Sequence, residues 1–148
     1  MRRVEKSIVI RVPPEKVWEM LALDRWTEWM DGWEGAEYTS EVRTSEDKYR
    51  VGASAYITEH RARTRTKYDF EITESLENEK IAFRSESMGY TLVTYILESV
   101  EEGTKLTYAI DYEMPWGILG KFLDKLGHKS GEKMVEKELK KLKSIMEK

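Results

Sequence analysis

Two adjacent prolines directly after a short alternating segment constrain this chain more than any other feature. Apolar and polar residues alternate through residues 5–12, which is the period of a β-strand with one buried face. Pro13 cannot donate a hydrogen bond to a neighbouring strand, so the strand is expected to end there. Pro14 suits the first turn of a helix, where a missing N–H group costs little. The apolar residues that follow recur at helical spacing, so the sequence predicts a strand that leads straight into a helix.

The rest of the chain is organised as short strands followed by one long helix. Asp24 can cap a second short helix that carries Trp26 and Trp29 on one side. Alternating segments bounded by polar turns then predict six strands, at residues 36–44, 51–60, 66–74, 81–87, 90–100 and 104–113. Because short turns join consecutive strands, the sheet is expected to be antiparallel. After Pro115 the apolar period becomes helical to residue 148, which predicts a single α+β domain over residues 1–148.

The order of these elements and several short motifs resemble a known family. The motifs are the segment 11–29 with its double proline and tryptophans, Val51-Gly52 opening one strand, Ile72-Thr73-Glu74 closing another, and the run 103–107 opening the last. Together they resemble the polyketide cyclase/dehydrase and lipid-transport family, part of the START-like, helix-grip superfamily (SRPBCC). The resemblance implies a START-like or pollen-allergen-like antiparallel sheet wrapped around the C-terminal helix. It also implies a cavity for a hydrophobic ligand between the two.

Composition excludes several classes of function. The formal net charge is −3 and the pI about 5.6, so we expect no nucleic-acid partner. There is no cysteine and no metal-binding spacing of histidines, so neither a thiolate nucleophile, a metal site nor a cofactor is expected. No apolar segment follows Arg2 and Arg3, which predicts a cytoplasmic protein without a secretory signal. The absence of glutamine and the abundance of Glu, Lys and Arg resemble thermophile proteins. The sequence does not indicate the oligomeric state.

Only two residues are candidates for acid–base chemistry, and they are neighbours on one predicted strand. Adjacent strand residues point to opposite faces, so Glu59 and His60 cannot both line a cavity. If Ala55 and Ile57 face the cavity, Glu59 does too, and it becomes a candidate acid/base or ligand anchor. If Tyr56 and the residues of its parity face inward, His60 is the candidate. The pattern of this strand leaves both alternatives open.

Aromatic and aliphatic residues on the remaining strands and on the helices form the predicted ligand-binding wall. Several tyrosines on one face would give an amphipathic surface suited to a molecule with rings or long apolar parts. The same residues would also make an ordinary core. The predicted ligand contacts are Trp29, Tyr68, Phe70, Phe83, Leu92, Thr94, Tyr108, Ile110, Leu119 and Leu123.

The long helix carries two apolar faces and three glycines. Gly120, Gly127 and Gly131 fall along one line of the helix, which indicates either a close approach to the sheet or space left for a ligand. Ile118 and Phe122 lie on another side, where exposed apolar residues could touch a membrane transiently or contact a protein partner.

Three functions follow from these observations and the resemblance. The first is a non-catalytic protein that binds a small hydrophobic molecule such as a lipid, an isoprenoid or quinone, or a polyketide-like compound. The second is an aromatase/cyclase-type enzyme that uses Glu59 or His60 as the cavity acid/base. The third is a membrane- or protein-docking module. Binding without catalysis is favoured because no catalytic motif accompanies the two candidate residues.

Overall fold

The computed structural model describes residues 2–30, 32–61, 63–87, 89–113 and 118–148, with side chains for all of these except residues 61 and 118–128. Seven strands and three α-helices make up the described chain. The strands are β1 (Arg2–Ile10), β2 (Trp33–Tyr38), β3 (Ser54–Arg61), β4 (Thr64–Leu76), β5 (Lys80–Ser85), β6 (Tyr90–Val100) and β7 (Gly103–Glu113). The helices are α1 (Pro14–Glu19), α2 (Trp26–Trp29) and α3 (Ile118–Met146), and 3-10 turns span Leu23–Arg25 and Ser45–Tyr49.

The strands form one antiparallel sheet in the order β1-β7-β6-β5-β4-β3-β2. The predicted α+β helix-grip architecture is confirmed: a C-terminal helix accompanies the sheet, and short helices follow β1. From β2 to β7, strands that are consecutive along the chain are also neighbours in the sheet, as expected when short turns connect them. The first strand instead pairs with the last, from Arg2 opposite Tyr112 to Ile10 opposite Thr104, so it occupies the far edge of the sheet.

The predicted strand at residues 36–44 was wrong in position, because β2 covers Trp33–Tyr38. Just beyond the end of this strand, Ser54 is held by both backbone and side-chain hydrogen bonds. The Ser54 N–H donates to the Ser40 Oγ at 3.0 Å, and the Ser40 hydroxyl donates to the Ser54 carbonyl at 3.4 Å. Serine side chains that satisfy backbone groups in this way compete with a regular ladder.

Tryptophans of the segment after β1 fill the centre of the core. Trp26 is 1% exposed, and its Nε1 donates to the Leu21 carbonyl at 3.0 Å. Its ring meets Phe70 and Phe83 edge to face, at centroid distances of 5.2 and 4.9 Å. Trp18 is also buried and stacks on Tyr49 with ring centroids 5.2 Å apart. The segment that contains the short helices therefore packs against the sheet and supplies the centre of the core.

The second half of α3 packs on β1 and α2 through a stripe of buried residues. Val135, Leu139 and Leu142 are at most 2% exposed and recur at helical spacing. At Gly131 an added Cβ would lie 3.5 Å from Cγ2 of Val4, an ordinary van der Waals contact, so this glycine faces β1 without opening a large space. The other two glycines of the predicted line, Gly120 and Gly127, fall outside the described side chains. Among the residues that the structure describes, no helix is long and apolar enough to cross a membrane.

Replacing Gly103 with alanine is expected to destabilise the protein. Gly103 has a φ of 146°, and an added Cβ would lie within 3 Å of the backbone of Arg11 and Val12. A backbone neighbour cannot move aside as a flexible side chain can, so we expect a loss of at least about 2 kcal/mol from strain and displacement. Urea denaturation measures this loss. Gly35→Ala is the control, because an added Cβ there meets nothing within 4 Å. Equal stability of the two variants would contradict the packing described here.

Candidate functional site

A cavity of about 270 Å³ lies between the concave face of the sheet and the helices. Strands β3 to β7 form its floor, and the α2 segment, the start of β2 and the second half of α3 line its other sides, so that it is partly open to solvent. Most of the lining is aromatic or aliphatic. The lining residues are Trp26, Met30, Trp33, Glu59, Tyr68, Phe70, Ser85, Thr91, Val93, Tyr108, Ile110, Tyr112, Met134 and Glu138.

One polar pair in the cavity joins strands β3 and β4. The Tyr68 hydroxyl donates to Oε1 of Glu59 at 3.1 Å. Glu59 lines the cavity because Ala55 and Ile57, two positions apart on the same strand, are fully buried on the concave face. Of the two parities that the sequence left open for this strand, the structure has the one that points Glu59 inward.

A second polar pair lies deeper and joins β7 to α3. The Tyr108 hydroxyl donates to Oε1 of Glu138 at 3.0 Å, and both side chains are 2% exposed. Burial raises the pKa of Tyr108 well above 10, and the negative charges of its neighbours raise it further, so the phenol stays protonated and remains a donor. Glu138 therefore places a hydrogen-bonded carboxylate inside an otherwise largely apolar enclosure.

Sequence reasoning missed Glu138, although a signal was present. This residue follows Val135 by three positions and precedes Leu142 by four, so it falls within the buried stripe of α3. A carboxylate at a core position of an amphipathic helix is rare and points to a specific partner. Trp26, Trp33 and Met134 were missed as lining residues for a different reason: no pattern in the sequence separates them from ordinary core residues.

His60, the other predicted acid–base candidate, lies on the opposite face of β3, away from the cavity. Its Nδ1 is 3.0 Å from Oε1 of Glu34, and its side chain is 37% exposed. Glu34 also accepts a hydrogen bond from Arg65 at 3.0 Å, and this bond, followed by the positive charges nearby, lowers the pKa of the Glu34 carboxyl. His60 therefore does not line the cavity, since its parity is that of Tyr56, which is exposed.

Four of the ten predicted ligand contacts lie in the cavity wall: Tyr68, Phe70, Tyr108 and Ile110. Trp29 and Phe83 face the same side of the sheet but are covered by other aromatic rings and do not line the cavity. The Trp29 Nε1 donates to the Met20 carbonyl at 2.9 Å. The Phe83 ring lies beneath Trp26. Trp29 and Phe83 therefore lie on the predicted side of the sheet, but neither side chain lines the cavity.

Leu92 and Thr94 were predicted on the wrong face. Val93, between them, lines the cavity, so adjacent residues on this strand point to the other side of the sheet. Leu92 pairs with Arg84 and Asp111 on that outer face. The last two predicted contacts, Leu119 and Leu123, lie outside the described side chains.

The buried hydroxyl of Tyr95, beside the cavity, makes no hydrogen bond of normal length and angle to a described residue, although the Tyr108 hydroxyl lies near enough to affect its pKa. Tyr95 is fully buried, and its ring lies against Tyr108 with centroids 4.9 Å apart. Burial, together with the negative charge of Glu138, raises the pKa of Tyr95 well above 10. An unsatisfied buried hydroxyl costs about 1–3 kcal/mol, so the Tyr95 oxygen is a cost to the folded state.

Replacing Tyr95 with phenylalanine is therefore expected to stabilise the protein by about 1 kcal/mol at neutral pH. It should also reduce the loss of stability at high pH. The unfolded phenol ionises near pH 10, whereas the folded one stays protonated. The free energy of unfolding is therefore unaffected by this group below about pH 10 and falls as the pH rises further. Thermal melting between pH 7 and pH 11 measures both effects, with the exposed Tyr56→Phe as control. A destabilised Tyr95→Phe variant would show that the hydroxyl has a partner.

No group of three or more His, Cys, Asp or Glu side chains in the described part of the chain is arranged to hold a metal ion. The polar groups of the described cavity lining include carboxylates, phenols and the hydroxyls of Ser85 and Thr91.

Comparison with known proteins places the whole chain in one group. A family model described as polyketide cyclase/dehydrase and lipid transport matches residues 1–147. No curated protein matches the chain.

Solved structures with the same fold cover nearly the whole chain. The protein TTHA0849 from Thermus thermophilus is 20% identical, with a TM-score of 0.75 over 97% of this chain and 95% of that one. A protein of unknown function, SA2116 from Staphylococcus aureus, is 16% identical, with a TM-score of 0.74 over 99% and 93% of the two chains. Ara h 8.0201 is 12% identical, with a TM-score of 0.67 over 98% and 97%. At these identities the likeness concerns the fold alone.

Proposed function

The chain belongs to the polyketide cyclase/dehydrase and lipid-transport family, and we propose that it binds a small hydrophobic molecule in the cavity between its sheet and its C-terminal helix. The observation that carries this proposal is the aromatic enclosure itself. Phe70 meets Trp26 and Trp33 edge to face there, and the three rings leave open space beside them rather than filling it. Ligand sites are usually apolar cavities with a few polar groups that fix orientation. Glu59 with Tyr68, and Glu138 with Tyr108, would be those groups.

The size of the cavity favours a compact ligand. Its volume of about 270 Å³ lies just below the usual range for small-molecule sites, about 300–1,000 Å³. It corresponds to roughly nine water molecules at about 30 Å³ each. Of the compounds that the sequence suggested, a ring-containing polyketide-like molecule or a short-chain quinone fits better than an extended lipid or a long isoprenoid.

A thermal-shift series graded by ligand size tests this proposal. We expect one- and two-ring compounds to raise the melting temperature, whereas long-chain fatty acids and long isoprenoids should have little effect. A ligand at 100 times its dissociation constant stabilises the folded state by about 2.7 kcal/mol, which corresponds to a shift of several degrees. The proposal fails if no compound of either kind raises the melting temperature.

A second candidate function is an aromatase/cyclase-type enzyme, and the Glu59–Tyr68 pair favours it. A carboxylate that accepts a 3.1 Å hydrogen bond from a phenol is placed in the cavity as a general base would be. If an enolisable substrate is turned over, Glu59→Gln should reduce kcat at least about 100-fold and remove one limb of the pH–rate profile. Glu34→Gln, which changes a carboxylate on the outer face, is the control. An unchanged profile in Glu59→Gln would rule out this role.

The docking function predicted from Ile118 and Phe122 concerns residues that lie outside the described side chains. No contact in the described part of the molecule adds to it, and it stays a prediction.

A further inference from the structure

We propose that the ligand is a compact aromatic amine whose ammonium group is held by the carboxylate of Glu138 and by the surrounding aromatic rings. This inference rests on the proposed function, because it assumes that the cavity takes a small molecule. It deepens that function by naming the chemical class of the ligand.

The first step of the argument is the chemistry of the polar groups that line the cavity. Two are carboxylates, Glu59 and Glu138, and no lysine, arginine or histidine is among the described lining residues. Each carboxylate accepts a hydrogen bond from a tyrosine. A carboxylate offers about four acceptor positions, so both keep capacity for a ligand donor even with additional protein partners. Groups of this kind attract a ligand that donates hydrogen bonds and repel a ligand that carries its own carboxylate.

The second step is the aromatic lining. Among the described side chains, six rings line the cavity: Trp26, Trp33, Tyr68, Phe70, Tyr108 and Tyr112. The negatively polarised faces of such rings attract cations, and tryptophan is the strongest of them. An enclosure that combines aromatic rings with carboxylates is a recurring solution for binding organic ammonium groups. A plain apolar ligand would use the rings alone, whereas an aromatic ammonium compound would use the rings and a carboxylate together.

The third step selects Glu138 over Glu59 as the main anchor. Glu138 lines the cavity from α3 and is 2% exposed, whereas Glu59 is only partly buried on β3. Attraction between opposite charges is strongest where water is excluded. The Tyr108 hydroxyl orients the Glu138 carboxylate through a 3.0 Å hydrogen bond, so the acceptor is fixed before the ligand arrives. Burying a negative charge is costly, and an ammonium group beside it offsets part of that cost.

The test uses four compounds that share one ring system and differ in a single group: 2-naphthylmethylamine, 2-naphthylmethanol, 2-methylnaphthalene and 2-naphthoic acid. Isothermal titration calorimetry at pH 7 gives the dissociation constant of each. We expect the amine to bind at least about tenfold more tightly than the methyl compound, with the alcohol between them. The acid should bind at least about tenfold more weakly than the methyl compound, because its charge repels the two carboxylates.

Two isosteric variants of α3 locate the anchor. Glu138→Gln should bring the amine and the methyl compound to within about threefold of each other, because it removes the charge and keeps the shape. Glu136→Gln removes a negative charge from the same helix outside the cavity, where Glu136 pairs with Lys6 at 3.1 Å, and it should keep the full preference. An amine preference that persists in Glu138→Gln would overturn the role of Glu138.

The outcomes separate this inference from the proposed function. If the methyl compound binds but the amine binds no more tightly than it or the alcohol, or if the acid binds best, the amine inference is wrong and the proposed function stands. If none of the four compounds binds, the amine inference is wrong, and the thermal-shift series graded by ligand size decides whether the proposed function stands. The series on the unmodified protein decides the ligand class even if Glu138→Gln fails to fold.

Discussion

Replacing Ile110 with tryptophan is expected to abolish ligand binding while leaving the protein folded. Ile110 lines the cavity from β7 and is only partly buried, so a larger side chain at this position extends into the open space rather than into packed core. The cavity measures only about 270 Å³, and an indole ring and a ligand with rings cannot share it. We expect the dissociation constant of any cavity ligand to rise at least about 100-fold, a loss of roughly 2.7 kcal/mol of binding free energy.

Leu92→Trp is the matched control for this prediction. Leu92 lies on the outer face of β6, opposite Arg84 and Asp111, so the same ring is added to the same sheet without entering the cavity. Binding should be unchanged in this variant. If Leu92→Trp abolishes binding and Ile110→Trp does not, the ligand occupies the other face of the sheet.

Replacing Trp26 with alanine is expected to produce the largest loss of stability among single substitutions in the described core. The Trp26 ring packs against Phe70 and Phe83, and its Nε1 hydrogen bond to Leu21 fixes the segment that follows α1. Truncating a buried tryptophan typically costs about 3–5 kcal/mol, since both the buried area and the close packing are lost. For a chain of this length the melting temperature should fall by roughly 10 °C.

Chemical denaturation of Trp26→Ala measures this loss directly. Tyr56→Ala is the control, because Tyr56 is 42% exposed on the outer face of β3 and should cost less than about 1 kcal/mol. Similar losses in the two variants would mean that Trp26 is not central to the core.

The sequence predicted the fold better than it predicted the site, and the strands show why. The strand at residues 90–100 was predicted with its observed limits, because polar turns bound it on both sides. Inside that strand, however, apolar residues occupy both parities from Leu92 to Leu97. Alternation cannot tell the inner face of such a run from its outer face. The error at Leu92 and Thr94 follows from this, and pairing with neighbouring strands was needed to correct it.

Other features of the site depend on contacts between distant parts of the chain. Trp29 and Phe83 lie on the concave side as expected, but only ring contacts between distant residues show that they are covered: Trp26 packs on Phe83, and Tyr95 and Tyr108 pack on Trp29. Glu138 could have been identified from the apolar stripe of α3, in which it replaces a hydrophobic residue. Its pairing with Tyr108, thirty residues away, could not, because it depends on how the helix is set against β7.

Native mass spectrometry of the unmodified protein and of Ile110→Trp, exposed to the same extract of small metabolites and lipids, tests the central claim most directly. The central claim is that the cavity holds one small hydrophobic molecule. We predict a one-to-one complex with a low-mass compound for the unmodified protein and none for the variant. No complex with either protein, or the same complex with both, would contradict the claim.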